Sequence, residues 1–337
     1  MLYRVRPENK IASANKNLHS AKRDKNDEFY TQLTDIENEL RHYKKHFKDK
    51  VVLCNCDDPR ISNFFHYFSY NFEWLGLKKL ITVCYKNQER DLFSKNKNEQ
   101  AIYLEYEGDK DGNRIPDPKE IGIKYLEDDG DFRSEECVEL LKQTDVVCTN
   151  PPFSLFREYV AQLMEYEKKF LIIGNLNAVK YKNIFPLIKD NKIWLGMSPR
   201  SMTFIQPDGT KMQTNACWYT NLSHKKRNEE LILVKTYEDN EEQYPKYDNY
   251  DAIEVGKVVD IPKDYDGVMG VPITFLDKYS PNQFEVIGLM NDTRFESDEF
   301  IKGEAVHLDE QHKKFVGAVL NGKATYARII IRRKKTI

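Results

Sequence analysis

The chain has 337 residues, which is enough for one large domain or two domains of ordinary size. Its composition is globular, 40% hydrophobic and 31% charged, and its net charge of −2 excludes a protein that is basic throughout. No apolar run reaches the about 18 residues that a membrane-spanning helix needs. The first ten residues lack the apolar core of a signal peptide. We therefore expect a cytoplasmic protein without membrane contact.

The six cysteines are scattered, and three of them (Cys54, Cys84 and Cys148) lie in apolar runs typical of strands. This distribution predicts buried, reduced thiols. Cys54 and Cys56 resemble half of a zinc site, but no second pair at zinc-site spacing accompanies them. The sequence thus predicts no metal.

The first 26 residues are polar and carry an excess of lysine and arginine, which predicts a flexible basic arm. Beyond residue 26, predicted helices and apolar strands alternate along the chain. The predicted helices are 34–47, 62–74, 134–143, 154–167 and 183–189. The predicted strands are 51–54, 80–85, 101–107, 121–126, 145–149, 170–173 and 193–195.

Nearly continuous apolar strands between helices predict a doubly wound α/β domain with a mostly parallel sheet, over residues 27–235. Residues 236–337 are predicted to be a C-terminal region that packs on this domain, with strands at 271–276 and 324–333. Residues 196–216 show little regular pattern, and we expect a loop there.

Asn150-Pro151-Pro152-Phe153 directly follows a predicted strand and precedes a predicted helix. The Asn150 side-chain oxygen and the Pro151 carbonyl can each accept one N–H of a planar amino group. That would free the nitrogen lone pair for methylation, while Phe153 offers a face for stacking. The same residues could instead form a strand-to-helix turn with a proline in its first positions. The position at the carboxyl end of a parallel strand, where α/β sheets bind ligands, favours the active site.

Three further segments would lie near the same edge of the sheet. Asp57 and Asp58 could accept hydrogen bonds from a small-molecule cofactor, or could cap the following helix. Asp131 and Phe132 could hold an adenine ring, or could belong to a loop capped by Ser134. The segment 27–31 could contribute as well, or could form a hydrophobic staple before the first helix. A separate acidic turn, 108–113, is predicted to be a hairpin rather than a calcium loop, because Arg114 stands where such a loop needs glycine.

Several blocks together resemble the EcoRI-type adenine-specific (N6) DNA methyltransferase family, in the same order over nearly the whole chain. They include Asp27-Glu28-Phe29-Tyr30-Thr31, Asn55-Cys56-Asp57-Asp58-Pro59, Asp131-Phe132-Arg133, the motif at 150–153, and residues 244–253 and 267–276. The resemblance implies a Rossmann-like, S-adenosylmethionine-dependent fold with S-adenosylhomocysteine as product.

By resemblance, Tyr30 and Thr31 would contact the methionine end of the cofactor. Cys56, Asp57 and Asp58 occupy its usual glycine-rich first motif, and Asp131 and Phe132 would hold its adenine. Asn150, also near the cofactor, would hold the target adenine together with Pro151, Pro152 and Phe153. The first cofactor motif has no glycine, and Tyr85-Lys86 stands where an acidic ribose contact is usual.

The implied activity is site-specific methylation of a flipped adenine in double-stranded DNA, by a bacterial, phage or plasmid-encoded monomer. A cognate restriction endonuclease would share the site without forming a stable complex. Methylation of RNA adenine or a glutamine amide, and a silent DNA-binding module, are the alternatives. The residues do not predict the DNA recognition sequence, and GAATTC is not assumed.

Residues 178–228 carry nine lysines and arginines against two acids, which suits contact with DNA phosphates. A solvated surface with uneven charge is the plainer interpretation. The C-terminal region is also expected to contribute to DNA binding. The predicted recognition loop is about 197–216. The predicted DNA contacts are Arg200, Gln206, Lys211, Gln213, Lys225, Lys226 and Arg227.

Overall fold

The structure is a computed structural model that describes residues 30–56, 62–84, 101–113, 116, 120–198, 201–205, 210–290 and 317–334. Contacts within the chain divide it into two compact units. Unit 1 comprises residues 1–176 and 198–218, and unit 2 comprises residues 177–197 and 219–337. The division at residues 26 and 235 that the sequence suggests stays a prediction.

Unit 1 alternates strands and helices as the apolar periodicity predicts. Its helices are α1 (Leu33–Leu40), α2 (Asn63–Tyr70), α3 (Phe72–Leu75), α4 (Glu135–Lys142) and α5 (Phe156–Glu165). Its strands are β1 (Tyr30–Thr31), β2 (Val51–Cys54), β3 (Lys79–Cys84), β4 (Ile102–Tyr106), β5 (Gly122–Tyr125), β6 (Val146–Thr149) and β7 (Lys169–Asn175). Strand β8 (Trp194–Leu195) belongs to unit 2. The chain then adds β9 (Met202–Ile205) and β10 (Lys211–Thr214) to unit 1, followed by β11 (Ala216–Thr220), which begins in unit 1 and ends in unit 2.

The central sheet of unit 1 has the strand order β5-β4-β3-β2-β6-β7, followed by β11. The pairs β3–β2, β2–β6 and β6–β7 are parallel, whereas the hairpin β4–β5 and its pairing to β3 are antiparallel. All four residues of β2 and of β6 are buried, as expected for strands covered on both faces. The prediction of an α/β fold with a large, mostly parallel sheet is confirmed.

Local sequence sets the starts and ends of the helices. Ser62 and Ser134 cap α2 and α4, each accepting a backbone N–H three residues ahead through its side-chain oxygen. Gly76 ends α3 in the left-handed conformation, at a φ of 66°, where glycine has no Cβ penalty. The first predicted helix is shorter than expected: α1 ends at Leu40, and the following turn becomes a 3-10 helix, Lys44–His46. Tyr43 and Phe47 are still fully buried, so tertiary packing maintains the apolar periodicity beyond the α-helix.

The prediction of an irregular loop at 196–216 is wrong. β9 and β10 pair antiparallel, and β9 also pairs with β1, so the three strands form a small second sheet in unit 1. Strand β9 alternates buried and half-buried residues, which is the period of a half-buried strand. Four residues are too short a run to stand out next to Pro207-Asp208-Gly209, which is a turn signal.

Unit 2 contains a four-stranded sheet of its own with the order β12-β13-β17-β14. Its elements are helix α6 (Phe185–Lys189) and strands β8, β12 (Ile253–Glu254), β13 (Val268–Pro272), β14 (Phe284–Met290), β15 (Val319–Leu320), β16 (Lys323–Ala324) and β17 (Arg328–Arg333). Strand β8 pairs antiparallel with Tyr219 and Thr220 of β11. The predicted strand at 271–276 begins earlier, at Val268, and Ile273–Lys278 is a 3-10 helix after Pro272. The predicted strand at 324–333 is confined to β17.

A little-exposed ion pair joins strands β12 and β17 of the unit 2 sheet. The Arg328 guanidinium donates to both oxygens of Glu254, at 2.7 Å for the closest contact, and the Tyr247 hydroxyl donates to the same carboxylate. The ion pair is little exposed, and burial of Tyr247 raises the pKa of its phenol. Removal of either partner would leave the other charge buried without a counter-charge, which is strongly destabilising.

Gly174 in β7 fixes how close α5 lies to the sheet. A Cβ at this position would fall inside van der Waals distance of the Phe156 ring, which is almost fully buried at the start of α5. We expect Gly174→Ala to destabilise the protein by about 1–3 kcal/mol, the usual cost of overpacking a core. The free energy of unfolding in urea measures this.

Gly122→Ala in β5 is the matched control, because its Cβ would meet the Glu105 carbonyl oxygen at an ordinary 3.7 Å. An unfolding midpoint that moves equally in both variants would show that strand propensity, and not the Phe156 contact, determines the cost.

Candidate functional site

Two asparagines mark the carboxyl ends of neighbouring strands. β2 and β6 are parallel, with Leu53 opposite Val147, and Asn55 and Asn150 are the first residues after these strands. Both side chains are buried, with 4% and 7% of their surface exposed. Parallel pairing therefore places the predicted first cofactor motif and the predicted target-base motif at the same edge of the sheet.

The residues of the Asn-Pro-Pro-Phe motif form the link between β6 and α5. Asn150, Pro151 and Phe153 are buried, and Pro152 is half-buried. The backbone N–H of Leu155 donates to the Pro152 carbonyl at 3.0 Å, which closes a turn before α5. The Phe153 ring packs edge-on against Phe204 of β9, with ring centres 6.1 Å apart. Turn and site are thus compatible: the segment is both the strand-to-helix connection and a candidate binding position.

The hairpin β9–β10 connects this motif to strand β1. Thr31 lies opposite Phe204 in the pairing of β1 with β9, and the Gln32 side chain donates to the Thr203 carbonyl at 2.7 Å. Asn63 of α2 donates to the Thr31 carbonyl at 2.7 Å. Thr31 is 3% exposed. The strand predicted to contact the methionine end of the cofactor is therefore fixed both to Phe153, through Phe204, and to the helix that follows the first cofactor motif.

Glu39 of α1 holds the entrance to the hairpin, and the sequence did not single it out for this role. It is fully buried, accepts from the Tyr43 hydroxyl at 2.8 Å and accepts from the backbone N–H of Ser198 at 2.6 Å. A glutamate on the apolar face of an amphipathic helix is the signal that could have identified it.

Asp131 and Phe132 lie in the turn before α4, at the position predicted for the cofactor adenine. Arg133 donates to both oxygens of Asp131, at 2.7 and 2.8 Å, and this bidentate contact lowers the pKa of the Asp131 carboxyl. Asp131 is therefore charged at neutral pH and can act as an acceptor. Phe132 is 6% exposed, and its ring lies 5.2 Å from the Arg133 guanidinium.

Helix α5 contacts both predicted cofactor segments, which the sequence did not reveal. The Tyr159 hydroxyl donates to the Asn55 side-chain oxygen, and the Tyr159 ring packs edge-on against Phe132 at 5.0 Å. The Gln162 side chain donates to the Phe132 carbonyl at 2.9 Å, and Glu158 accepts from Arg133 at 2.9 Å. The only available signal was that the inward face of a helix directly after the motif carries a tyrosine.

The predicted DNA-contacting residues belong to both units. In unit 1, Lys211 and Gln213 are exposed on β10, and the Gln213 amide donates to the Ser201 hydroxyl at 3.0 Å. In unit 2, Lys225 is exposed and Lys226 is half-buried on one 3-10 helix. Arg227 is different: it is 7% exposed and lies between the rings of Trp194 and Tyr279, at 4.2 and 5.5 Å. Burial lowers the pKa of Arg227 to about 10.

Some predicted positions lie outside the described residues: the arm at 1–26, Asp57, Asp58, Tyr85, Lys86, Arg200 and Gln206. For Tyr30, only the backbone is described. Among the described residues, Cys54, Cys56, Cys137, Cys148 and Cys217 are free thiols, as predicted. No helix in the described part of the chain is long and apolar enough to span a bilayer.

The acidic turn lies between β4 and β5, which form the predicted hairpin. Carboxylate oxygens of Asp109, Asp111 and Glu120 lie within 4.8 Å of one another. Glu120 also accepts from the backbone N–H groups of Lys110 and Asp111, so the turn itself accounts for its position. The expectation of no metal stays a prediction.

Comparison with known proteins identifies the family. The model of the family described as "Adenine-specific methyltransferase EcoRI" matches residues 17–334. The type II methyltransferase M.EcoRI of Escherichia coli is 48% identical over 96% of this chain and 98% of its own length. M.MpnI of Mycoplasma pneumoniae is 38% identical over 95% of this chain and 99% of its own length. M.MgeORF184P of Mycoplasma genitalium is 37% identical, over 94% of this chain and 99% of its own.

No solved structure matches the chain significantly. A family model that covers nearly the whole sequence, together with relatives aligned over almost their full length, leaves no large part of the chain outside the similarity. The chain belongs to the EcoRI family of adenine-specific methyltransferases.

Proposed function

We propose that this adenine-specific methyltransferase modifies N6 of a flipped adenine in double-stranded DNA, using Asn150 and the Pro151 carbonyl as the two acceptors of the amino group. The observation that carries the proposal is the position of this motif at the carboxyl end of β6, parallel to β2. The relatives are type II methyltransferases, which supports a role in a restriction-modification system.

The described residues fit the S-adenosylmethionine that the family implies. Two of the three segments expected to hold it are joined through Tyr159, which contacts both Asn55 and Phe132. The third segment is held at the Thr31 carbonyl by Asn63 of α2, the helix that follows the first cofactor motif. We propose that Thr31 and the backbone of Tyr30 contact its methionine end, and that Cys56 lies beside it. Asp131, kept charged by Arg133, would accept from its adenine amino group, and Phe132 would contact the ring.

The bound cofactor supplies an electrophilic methyl group on a sulfonium. The protein supplies orientation and electrostatics. The Asn150 side-chain oxygen and the Pro151 carbonyl each accept one N–H of the target amino group, which draws the nitrogen lone pair out of conjugation with the ring. The prolines lack an N–H and have a fixed φ, so the Pro151 carbonyl stays in place. The amino proton becomes acidic once the methyl is attached, and a strong general base is not required.

Phe153 would stack on the flipped adenine, which offsets part of the few kcal/mol that unstacking and unpairing cost. The edge-on contact with Phe204 fixes the Phe153 ring from the side, and Phe204 is fully buried. The ring is thus held before the base arrives, which reduces the entropy lost on binding.

The hairpin β9–β10 is the proposed recognition element, because it carries exposed polar residues and is tied to the target-base motif at Phe204. Lys211 and Gln213 would face DNA there, and Arg200 and Gln206 stay predictions. Lys225 and Lys226 of unit 2 would contact phosphates. We further propose that the protein is a cytoplasmic monomer. It would share its DNA recognition site with a restriction endonuclease without binding that enzyme stably.

The proposal is tested by incubating the protein with radiolabelled S-adenosylmethionine and plasmid DNA, and locating N6-methyladenine by sequencing. We expect methylation at one short sequence, which also defines the recognition site. Label that appears only in RNA or in protein would overturn the DNA substrate, and each of these alternatives is offered in a parallel reaction.

We expect Asn150→Ala to lower kcat at least about a hundredfold, because one preorganised polar group at the reacting centre is worth roughly 3 kcal/mol. Asn150→Asp keeps an oxygen acceptor of the same size and should retain more activity than Asn150→Ala. Single-turnover methylation measures both, and the thermal unfolding transition followed by circular dichroism is the control for folding. Wild-type rates in Asn150→Ala would contradict the mechanism.

The basic 3-10 helix of unit 2 allows a second prediction. We expect Lys225→Ala combined with Lys226→Ala to weaken DNA binding and to lower the slope of log K against log salt by about 1 per lost phosphate contact. The melting temperature should not change, because Lys225 is exposed and its pair with Glu229, at 3.8 Å, contributes little. Fluorescence anisotropy on a duplex, measured between about 50 and 200 mM salt, gives the slope.

Arg227→Ala should behave in the opposite way, because its guanidinium is buried between two aromatic rings. We expect a lower melting temperature and little change in the salt slope. If Arg227→Ala left the melting temperature unchanged and lowered the slope, Arg227 would instead be the phosphate contact that the sequence predicted.

A further inference from the structure

We propose that Tyr159 is a positioning residue for the cofactor, holding the turn after β2 through its hydroxyl and the adenine-contacting turn through its ring. This inference rests on the proposed function for the identity of the cofactor-holding residues. It assigns to α5 the task that a glycine-rich turn performs in related cofactor sites.

The hydroxyl of Tyr159 is directed at the first cofactor motif. The side chain is fully buried, and burial raises the pKa of its phenol well above the ordinary value, so the hydroxyl stays protonated and can donate. Its acceptor is the Asn55 side-chain oxygen, which the Cys56 thiol also approaches, at 3.7 Å. The two residues that follow β2 are thereby tied to α5.

The ring of Tyr159 supports the second segment. It meets Phe132 edge-on, with centres 5.0 Å apart and planes at 75°. Two neighbours on the same helix act on the same turn: Gln162 donates to the Phe132 carbonyl, and Glu158 accepts from Arg133. One helix face therefore positions the Asp131–Arg133 turn and the end of β2 together.

The absence of glycine explains why such support is needed. Glycines let a backbone turn approach a ligand closely, whereas Asn55 and Cys56 carry side chains that must be held out of the way. A buried hydrogen bond between side chains 104 positions apart in sequence does this. Because α5 begins three residues after Phe153, the same helix also anchors the target-base motif.

The test uses Tyr159→Phe, which keeps the ring and removes the hydroxyl, with Tyr166→Phe at the end of the same helix as the matched control. Calorimetry measures the Kd of S-adenosylhomocysteine, and steady-state kinetics measure KM for S-adenosylmethionine and for plasmid DNA. We expect Tyr159→Phe to raise Kd and the S-adenosylmethionine KM about five- to tenfold, the value of one buried hydrogen bond. The KM for DNA should stay within about twofold, because the hydrogen bond between Tyr159 and Asn55 has no direct part in DNA contact. Tyr166→Phe should match the wild type.

An unchanged Kd in folded Tyr159→Phe would overturn the inference, and so would an equal rise in both KM values, which a merely structural role would give. Gln162→Met removes the hydrogen bond to Phe132 from a half-buried position, and it should raise Kd even if Tyr159→Phe does not fold. An unchanged Kd in folded Gln162→Met would also count against the inference. A wild-type protein that binds S-adenosylhomocysteine but methylates no DNA would contradict the proposed function alone, with the rise in Kd still required.

Discussion

The parallel pairing of β2 with β6 is the constraint on which the rest of the site depends. It brings together two chain segments that are almost a hundred residues apart, so that Asn55 and Asn150 follow neighbouring strands. Both strands are buried along their whole length, so their pairing in the core of the sheet holds the two strand ends next to each other. The chemistry proposed for Asn150 therefore depends on the core of the sheet as much as on the motif.

A second level of organisation comes from helix α5. It starts at Phe156, whose ring covers Gly174, and this close approach sets the distance between helix and sheet. From that position Tyr159 and Gln162 reach Asn55 and Phe132. The packing of α5 on β7 therefore also sets the position of the side chains that contact the predicted cofactor segments.

The sequence predicted the elements whose signal is local and strong. Apolar runs such as β2 and β6, and serine caps such as Ser134, can be predicted from the local sequence alone. The hairpin β9–β10 was missed because its strands have four residues each, and their stability comes from pairing with β1, about 170 residues earlier. The contact of Tyr159 with Asn55 was missed for the same reason: nothing in a tyrosine on a helix indicates which distant side chain it meets.

The hairpin β9–β10, as the proposed recognition element, has a consequence for how target preference can diverge among related enzymes. Its base is fixed on three sides, by pairing with β1, by the Phe204–Phe153 contact and by the Glu39 carboxylate at Ser198. Lys211 and Gln213 are exposed on β10 and take no part in these three contacts, so their substitution would leave the Phe204–Phe153 contact in place. In the proposed recognition element, a new sequence preference can then arise by substitution at these two positions while the Asn150–Phe153 segment keeps its place.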